Sequence, residues 1–413
     1  MGAVTTSSPT PTGRSGWIRA FNKLYVVKHA DEEVVARVTL PVDPKWKTLS
    51  EVATLQWVRE KTTLPVPKVL GYSADRANRV GFEWIIMDKV HGKPYADVLK
   101  EVPYAAKEQL VRRIANFYSD TFANQFRGIG NIFQQPAAVQ NQGDEKSGTN
   151  DDEVPLAPGF TVQRLVSSTF FSKDPHPEVS RGPFASSREW ISARLDLTEI
   201  QCTERLHRLR QAAESTDEKS EDGVSSQAGA EEADAGNANR ASADKDGRVA
   251  KDEDKGEGDE DTDEDEDEED EEDDEEDIEN ALSIIARLRR QLPDFFPSGG
   301  PEPEPSVLFH DDMNSHNVLV DETGNLTAVV DWECVSTLPL CLACEYPSFI
   351  QSKPNEFEPI KSTYHHDENR EVTVLFWEHL EHYEKTQLRK LFLAEMETLQ
   401  PRRLQERIDN AEL

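Results

Sequence analysis

The chain has 413 residues, with 80 Asp plus Glu against 46 Lys plus Arg, a net charge of −34 and only 36% apolar residues. The stretch 214–279 alone carries −27, so the other 347 residues hold −7 and keep enough apolar side chains for one large or two modest cores. Such acidity excludes a nucleic-acid backbone as partner, no run of 18 apolar residues exists to insert stably in a membrane, and four cysteines are too few for a disulfide framework, which points to a reducing, cytoplasmic setting.

Residues 1–16, rich in Ser, Thr, Pro and Gly, are expected to be disordered. Met1-Gly2 with Thr6 meets the minimal N-myristoylation pattern, but one acyl chain without a basic patch anchors weakly. From Phe21, FNKLYVVKHADEEVVARVTLP alternates apolar and polar residues on both sides of HADEE and predicts a β-hairpin. In EVATLQWVREKT the side chains Val52, Leu55, Trp57 and Val58 recur at helical spacing, with Ser50 placed to cap the helix. LPVPKVLGYS then returns to extended structure, and GFEWIIMDKV reads as a buried strand. These elements predict a small first lobe over 17–90.

A larger helical lobe is expected from 91 to 413. YAAKEQLVRRIANFYSDTFANQF carries Leu110, Ile114, Phe117 and Phe122 on one face of a long amphipathic helix. Residues 135–160 read as loop, and SSREWISARLDLTEIQCTERLHRLRQAAE as one or two helices. Residues 214–277 are expected to form a disordered acidic insert, because 23 acidic and two basic side chains between 251 and 279 leave nothing to bury. It reads first as a solvated, self-repelling insertion and, in a sharper reading, as a docking segment for basic proteins. Helical period resumes in IENALSIIARLRRQLPDFF, followed by the linker PSGGPEPEPS. Cys341 and Cys344 form a CxxC without a second pair, which favours buried small side chains over a metal site.

The densest chemistry lies in SVLFHDDMNSHNVLVDETGNLTAVVDWE, residues 306–333: strand, polar loop, strand, turn, and a strand ending in an acid. Asp312 and Asn317 are five apart, and a tight hairpin returns Asp331, 14 residues on, to the side of Asn317. An amide oxygen and a carboxylate suit magnesium bridging nucleotide phosphates, while a further carboxylate can accept a proton from an attacking hydroxyl.

These residues resemble the catalytic core of the aminoglycoside phosphotransferase and choline kinase-like family, small-molecule relatives of protein kinases. The match is His310-Asp311-Asp312, four residues, Asn317, then Asp331-Trp332-Glu333. The resemblance implies an α+β, two-lobed protein-kinase-like fold that uses ATP and magnesium to phosphorylate a hydroxyl of a small molecule. It makes Asp312 the catalytic base and gives the metal to Asn317 and Asp331, with His310, Trp332 and Glu333 in support. Asp311 stands where the family has Gly. Upstream, Arg37 sits where kinases place the phosphate-contacting Lys, Glu51 resembles its partner glutamate, and Met87-Asp88-Lys89-Val90 looks like the hinge for adenine. Two departures, Arg for Lys at 37 and a covering loop GWIRAFNK with only Gly16, favour the rival reading: a catalytically weak pseudokinase acting as a scaffold through its acidic insert.

Overall fold

A computed structural model describes residues 21–29, 32–135, 159–171, 176–221, 275–297, 300–366 and 371–400. The expected disordered N-terminus 1–16, the myristoylation pattern, the start of the covering loop and most of the loop 135–160 and of the acidic insert lie outside the described residues. The described residues divide into one unit of 1–197 with 291–413 and a second of 198–290. Among them no helix is long and apolar enough to cross a membrane.

The first unit opens with the expected hairpin. Strands β1 (Asn22–His29) and β2 (Glu32–Thr39) pair antiparallel from Asn22↔Thr39 to His29↔Glu32. Helix α1 (Trp46–Lys61) follows, then β3 (Val69–Ser73) and β4 (Glu83–Asp88), and the four strands form one antiparallel sheet in the order β1-β2-β4-β3. Strand β4 alternates buried and half-buried residues, and Ile85 and Met87 pack with Val52 of α1 in a small core beneath the sheet.

Helix α1 starts four residues before the expected Ser50 cap. Lys45 is its N-cap residue, with no side-chain cap of its own, and Ser50 lies buried inside the helix. The cap comes from β4 instead: one Glu83 oxygen accepts the Lys45 N–H at 2.7 Å and the other accepts the Thr48 hydroxyl at 2.6 Å. A carboxylate from a distant strand thus satisfies orphan groups at the helix start, where its charge is also favoured.

After the hinge come β5 (Lys93–Pro94), the short α2 (Tyr95–Val98), α3 (Tyr104–Ala123), β6 (Phe126–Arg127), β7 (Asn131–Gln134) and β8 (Phe160–Gln163). Helices α4 (Ser187–Glu221) and α5 (Glu275–Phe295) precede β9 (Pro305–Phe309), β10 (Val318–Val320), β11 (Leu326–Val329), β12 (Ser336–Pro339) and α6 (Val374–Leu399). The main core joins Trp57 of α1 to Leu110, Ile114 and Phe117 of α3, to Val318 and Val329 of the β10–β11 hairpin, and to Phe392 of α6. The architecture is the expected α+β one.

The expected acidic insert is trimmed at both ends. Helix α4 continues to Glu221, and α5 begins at Glu275 rather than after 277. Within the second unit the two helical stretches are tied by ion pairs of Arg210 with Glu275 and Glu279, and of Arg289 with Glu199 at 2.7 Å. These pairs are exposed and worth only about 0–1 kcal/mol each. They do explain why acidic residues read as insert belong to the helix. The expectation for the CxxC also needs correction: Cys341 is exposed in the turn after β12, and Cys344 donates its thiol to the Leu340 carbonyl at 2.9 Å.

One glycine couples the hinge to the β10–β11 hairpin. Gly92 has φ +133°, and a Cβ there would lie 2.8 Å from the Val320 carbonyl oxygen and 2.6 Å from Thr327 Oγ1. Gly92→Ala should therefore cost about 1–3 kcal/mol of stability, through both strain and overlap. Chemical denaturation checks this, and an unchanged midpoint would refute the close approach.

Candidate active site

The loop between β9 and β10 holds the first group of polar residues. Asp312 Oδ1 accepts the Asn314 amide at 2.7 Å, and Asp312 Oδ2 accepts Asn317 Nδ2 at 3.0 Å. The same Asn317 nitrogen also reaches the Asp312 backbone oxygen at 2.9 Å. Because the NH2 group of Asn317 is spent on Asp312, its amide oxygen faces the other way, the orientation a hard cation requires. Asn314 was not singled out by sequence, yet it organises the loop: its side-chain oxygen accepts the His316 N–H at 2.8 Å and the Asn317 N–H at 3.2 Å. Its signal is the local one of an Asx turn. Asp311, exposed like Asp312, offers its backbone oxygen to the Ser348 hydroxyl at 3.2 Å.

The hairpin performs the expected return. Val318 pairs with Val329, and the Val330 N–H donates to the Asn317 carbonyl at 2.9 Å, which sets Asp331 beside Asn317. The backbone then turns sharply: Asp331 has φ +65° and Cys334 φ +61°, a left-handed conformation that non-glycine residues hold only under constraint. Trp332 between them is 1% exposed and donates its indole N–H to the Val329 carbonyl at 2.9 Å. Its ring meets Phe117 and His310 edge-on, at 5.8 and 4.7 Å between centroids. His310 is itself buried, with Nε2 3.4 Å from the Val330 carbonyl, and burial pushes its pKa below the usual value. Both residues support the corner by packing, as their positions implied.

Two cations and one amide of the first sheet and helix meet this corner. The Arg37 guanidinium pairs with Glu51 of α1 and, at 3.1 Å, with Glu333. Lys47, on the first turn of α1 and 1% exposed, pairs with the same Glu333 oxygen and donates to Asn22 Oδ1 at 3.0 Å. Asn22 in turn donates to Glu333 at 2.5 Å. The buried lysine's pKa is lowered by desolvation and by Arg37, with Glu333 opposing. Burial and the Glu333 charge hold Asp331 above the ordinary carboxylate range, whereas Lys47 and Arg37 hold Glu333 below it. Burial pushes the Cys334 thiol up to about 12, so it is no nucleophile at neutral pH.

A cavity of about 400 Å³ lies against these groups. Its apolar walls include Leu24, Val35, Met87, Val90 and Leu319, and Asp88 lines it at the hinge. Its polar end is formed by Asn317, Asp331, Arg37, Glu51 and Glu333. Every sequence-derived nucleotide and metal position therefore lines one space, and Asp312 joins it through its bond to Asn317. Arg37 itself is 6% exposed and sits between the two carboxylates Glu51 and Glu333. Lys47 was missed because nothing in the local sequence PKWK separates a buried lysine from a solvated one.

The chain is similar to several known proteins. A subtelomeric hrmA-associated cluster protein of Aspergillus fumigatus is 26% identical over 167 residues, 40% of this chain and 31% of the relative. Clavilactone A biosynthesis cluster protein Y of Ampulloclitocybe clavipes is 50% identical over 44 residues, 11% of each chain. Thus the aligned stretches span at most about a third of these curated relatives' length. A solved structure of a thermostable mutant of aminoglycoside phosphotransferase APH(4)-Ia, apo form, covers 77% of this chain and 65% of its own at 15% identity, with a TM-score of 0.33. The model of the phosphotransferase enzyme family, APH, matches residues 19–340, a range that takes in Arg37, Glu51, the hinge, Asp312, Asn317 and Asp331. The chain belongs to this phosphotransferase family.

Proposed function

We propose that the protein is an ATP- and magnesium-dependent phosphotransferase that moves the γ-phosphoryl group to a hydroxyl of a small molecule. The carrying observation is that Asn317 and Asp331 line one cavity together with Met87 and Val90, with Asp312 bonded to Asn317 at its edge. The apolar walls near Met87 and Val90 suit a purine ring, which leaves the phosphates at the polar end. Two oxygen donors, the Asn317 amide and the Asp331 carboxylate, fit magnesium, which takes its remaining ligands from phosphate and water. When bound, the metal neutralises charge on the transferring phosphoryl group.

The chain's own residues account for the rest. Asp312, fixed by Asn314 and Asn317, takes the proton of the acceptor hydroxyl as its oxygen bonds to the γ-phosphorus and the bond to the β–γ bridging oxygen breaks. Arg37 retains a buried Nε–H without a partner among the described residues, a donor suited to an anionic oxygen.

The scaffold reading rests on a different observation. Both buried cations, Arg37 and Lys47, are already paired with carboxylates. Thermal unfolding with ADP or ATP, with and without magnesium, separates the two. The enzyme reading expects magnesium-dependent stabilisation, about 2.7 kcal/mol at a nucleotide concentration 100 times the Kd. Absence of any such shift would favour the scaffold.

A further inference from the structure

The corner Asp331-Trp332-Glu333-Cys334 is bounded by two left-handed, non-glycine residues, at φ +65° and +61°. Such a conformation persists only where its surroundings over-determine it. Trp332 supplies one restraint from within the core, through its buried ring and the bond to Val329. The other restraint falls on Glu333, whose Oε2 receives Asn22 of β1, Arg37 of β2 and Lys47 of α1. Of these donors, Arg37 is shared with Glu51 and Asn22 is held by Lys47. Lys47 is thus the donor that fixes both the carboxylate and one of its other partners.

Lys47 does not line the cavity, although Asn22, Arg37 and Glu333 all do. It stands behind them, in the position of a partner that orients a ligand-bearing segment without touching the ligand. We infer that Lys47 is a positioning residue for the metal-holding corner, acting through Glu333 to fix the left-handed turn that places Asp331 on the cavity wall with Asn317. The inference rests on the phosphotransferase reading of Asn317 and Asp331. It adds a buried ammonium on the helix that carries Glu51, so that one helix steadies both the arginine at the phosphate end and the acid at the metal end. Partners of this kind typically alter metal affinity by 10–100-fold when removed.

The test is calorimetric titration of ADP with magnesium and with chelator, on wild type, Lys47→Met, Glu333→Gln and the double variant. Lys47→Met keeps the length of the side chain and removes its charge. It should lower the magnesium-dependent gain in ADP affinity by about 10–100-fold and leave magnesium-free affinity within about 3-fold. Because Lys47 acts through Glu333, the double variant should lose no more than Glu333→Gln alone. Should Lys47→Met fail to fold, Glu333→Gln, which preserves packing, must show the same selective loss.

A wild type without any magnesium-dependent gain would overturn the phosphotransferase reading and this inference with it. A wild type with that gain, beside a Lys47→Met whose affinity falls equally with and without magnesium, would overturn the positioning role alone. Additive losses in the double variant would do the same.

Discussion

Asp312→Asn should lower turnover by about 10²–10⁴-fold, the usual size of a general-base contribution, while magnesium-dependent nucleotide binding survives. The substitution removes the proton acceptor without changing side-chain size. Asp312 does not line the cavity, and Asn317 Nδ2 keeps its 2.9 Å bond to the residue 312 backbone oxygen in the variant, so the amide that faces the nucleotide stays in place. Asp331→Asn is the contrasting variant. It strips a charge from the cavity wall itself, so the magnesium-dependent part of nucleotide binding should fall together with activity. Asp311→Gly should leave both intact, because the neighbouring acid is exposed and offers the loop only its backbone oxygen. Single-turnover kinetics and nucleotide titration on the three variants check the assignment. Full turnover in Asp312→Asn, with loss in Asp311→Gly, would shift the base by one residue and reject the proposed mechanism.

Arg37→Ala should destabilise the free protein by about 3–5 kcal/mol, the typical cost of removing one partner from a buried ion pair. Its guanidinium sits between Glu51, whose side chain is 2% exposed, and Glu333, 12% exposed. Truncation leaves one carboxylate in low dielectric without its main cation and the other with Lys47 alone. Arg37→Lys should fall between wild type and Ala, because an ammonium keeps the charge but not the length and planar geometry that bring one Arg37 nitrogen, Nη2, to both carboxylates. Denaturant unfolding without nucleotide reads this directly. A wild-type midpoint for Arg37→Ala would show that the network adds nothing to the fold.

Much of the site was legible because its parts are close in sequence. Within residues 306–333, spacing brings Asp312, Asn317 and Asp331 together: the five-residue step from Asp312 to Asn317 and a tight hairpin leave little freedom in where the side chains go. The hairpin of residues 22–39 and the helix after Lys45 were equally readable, since alternation and helical period each report a buried face. Local pattern failed where the partner lay far along the chain. Ser50 looked like a cap, yet Glu83, 38 residues beyond Lys45, does the capping.

The sequence by itself determined the family motif and the order of elements in the first sheet and helix. Only the tertiary structure decided that Arg37 is buried, that Lys47 is part of the site, and that Glu333 gathers donors 286, 296 and 311 residues away. The physical reason is that periodicity records burial averaged along an element, whereas a buried ion pair is one contact between isolated polar residues. Its existence depends on which surfaces the core brings together, and no local repeat encodes that.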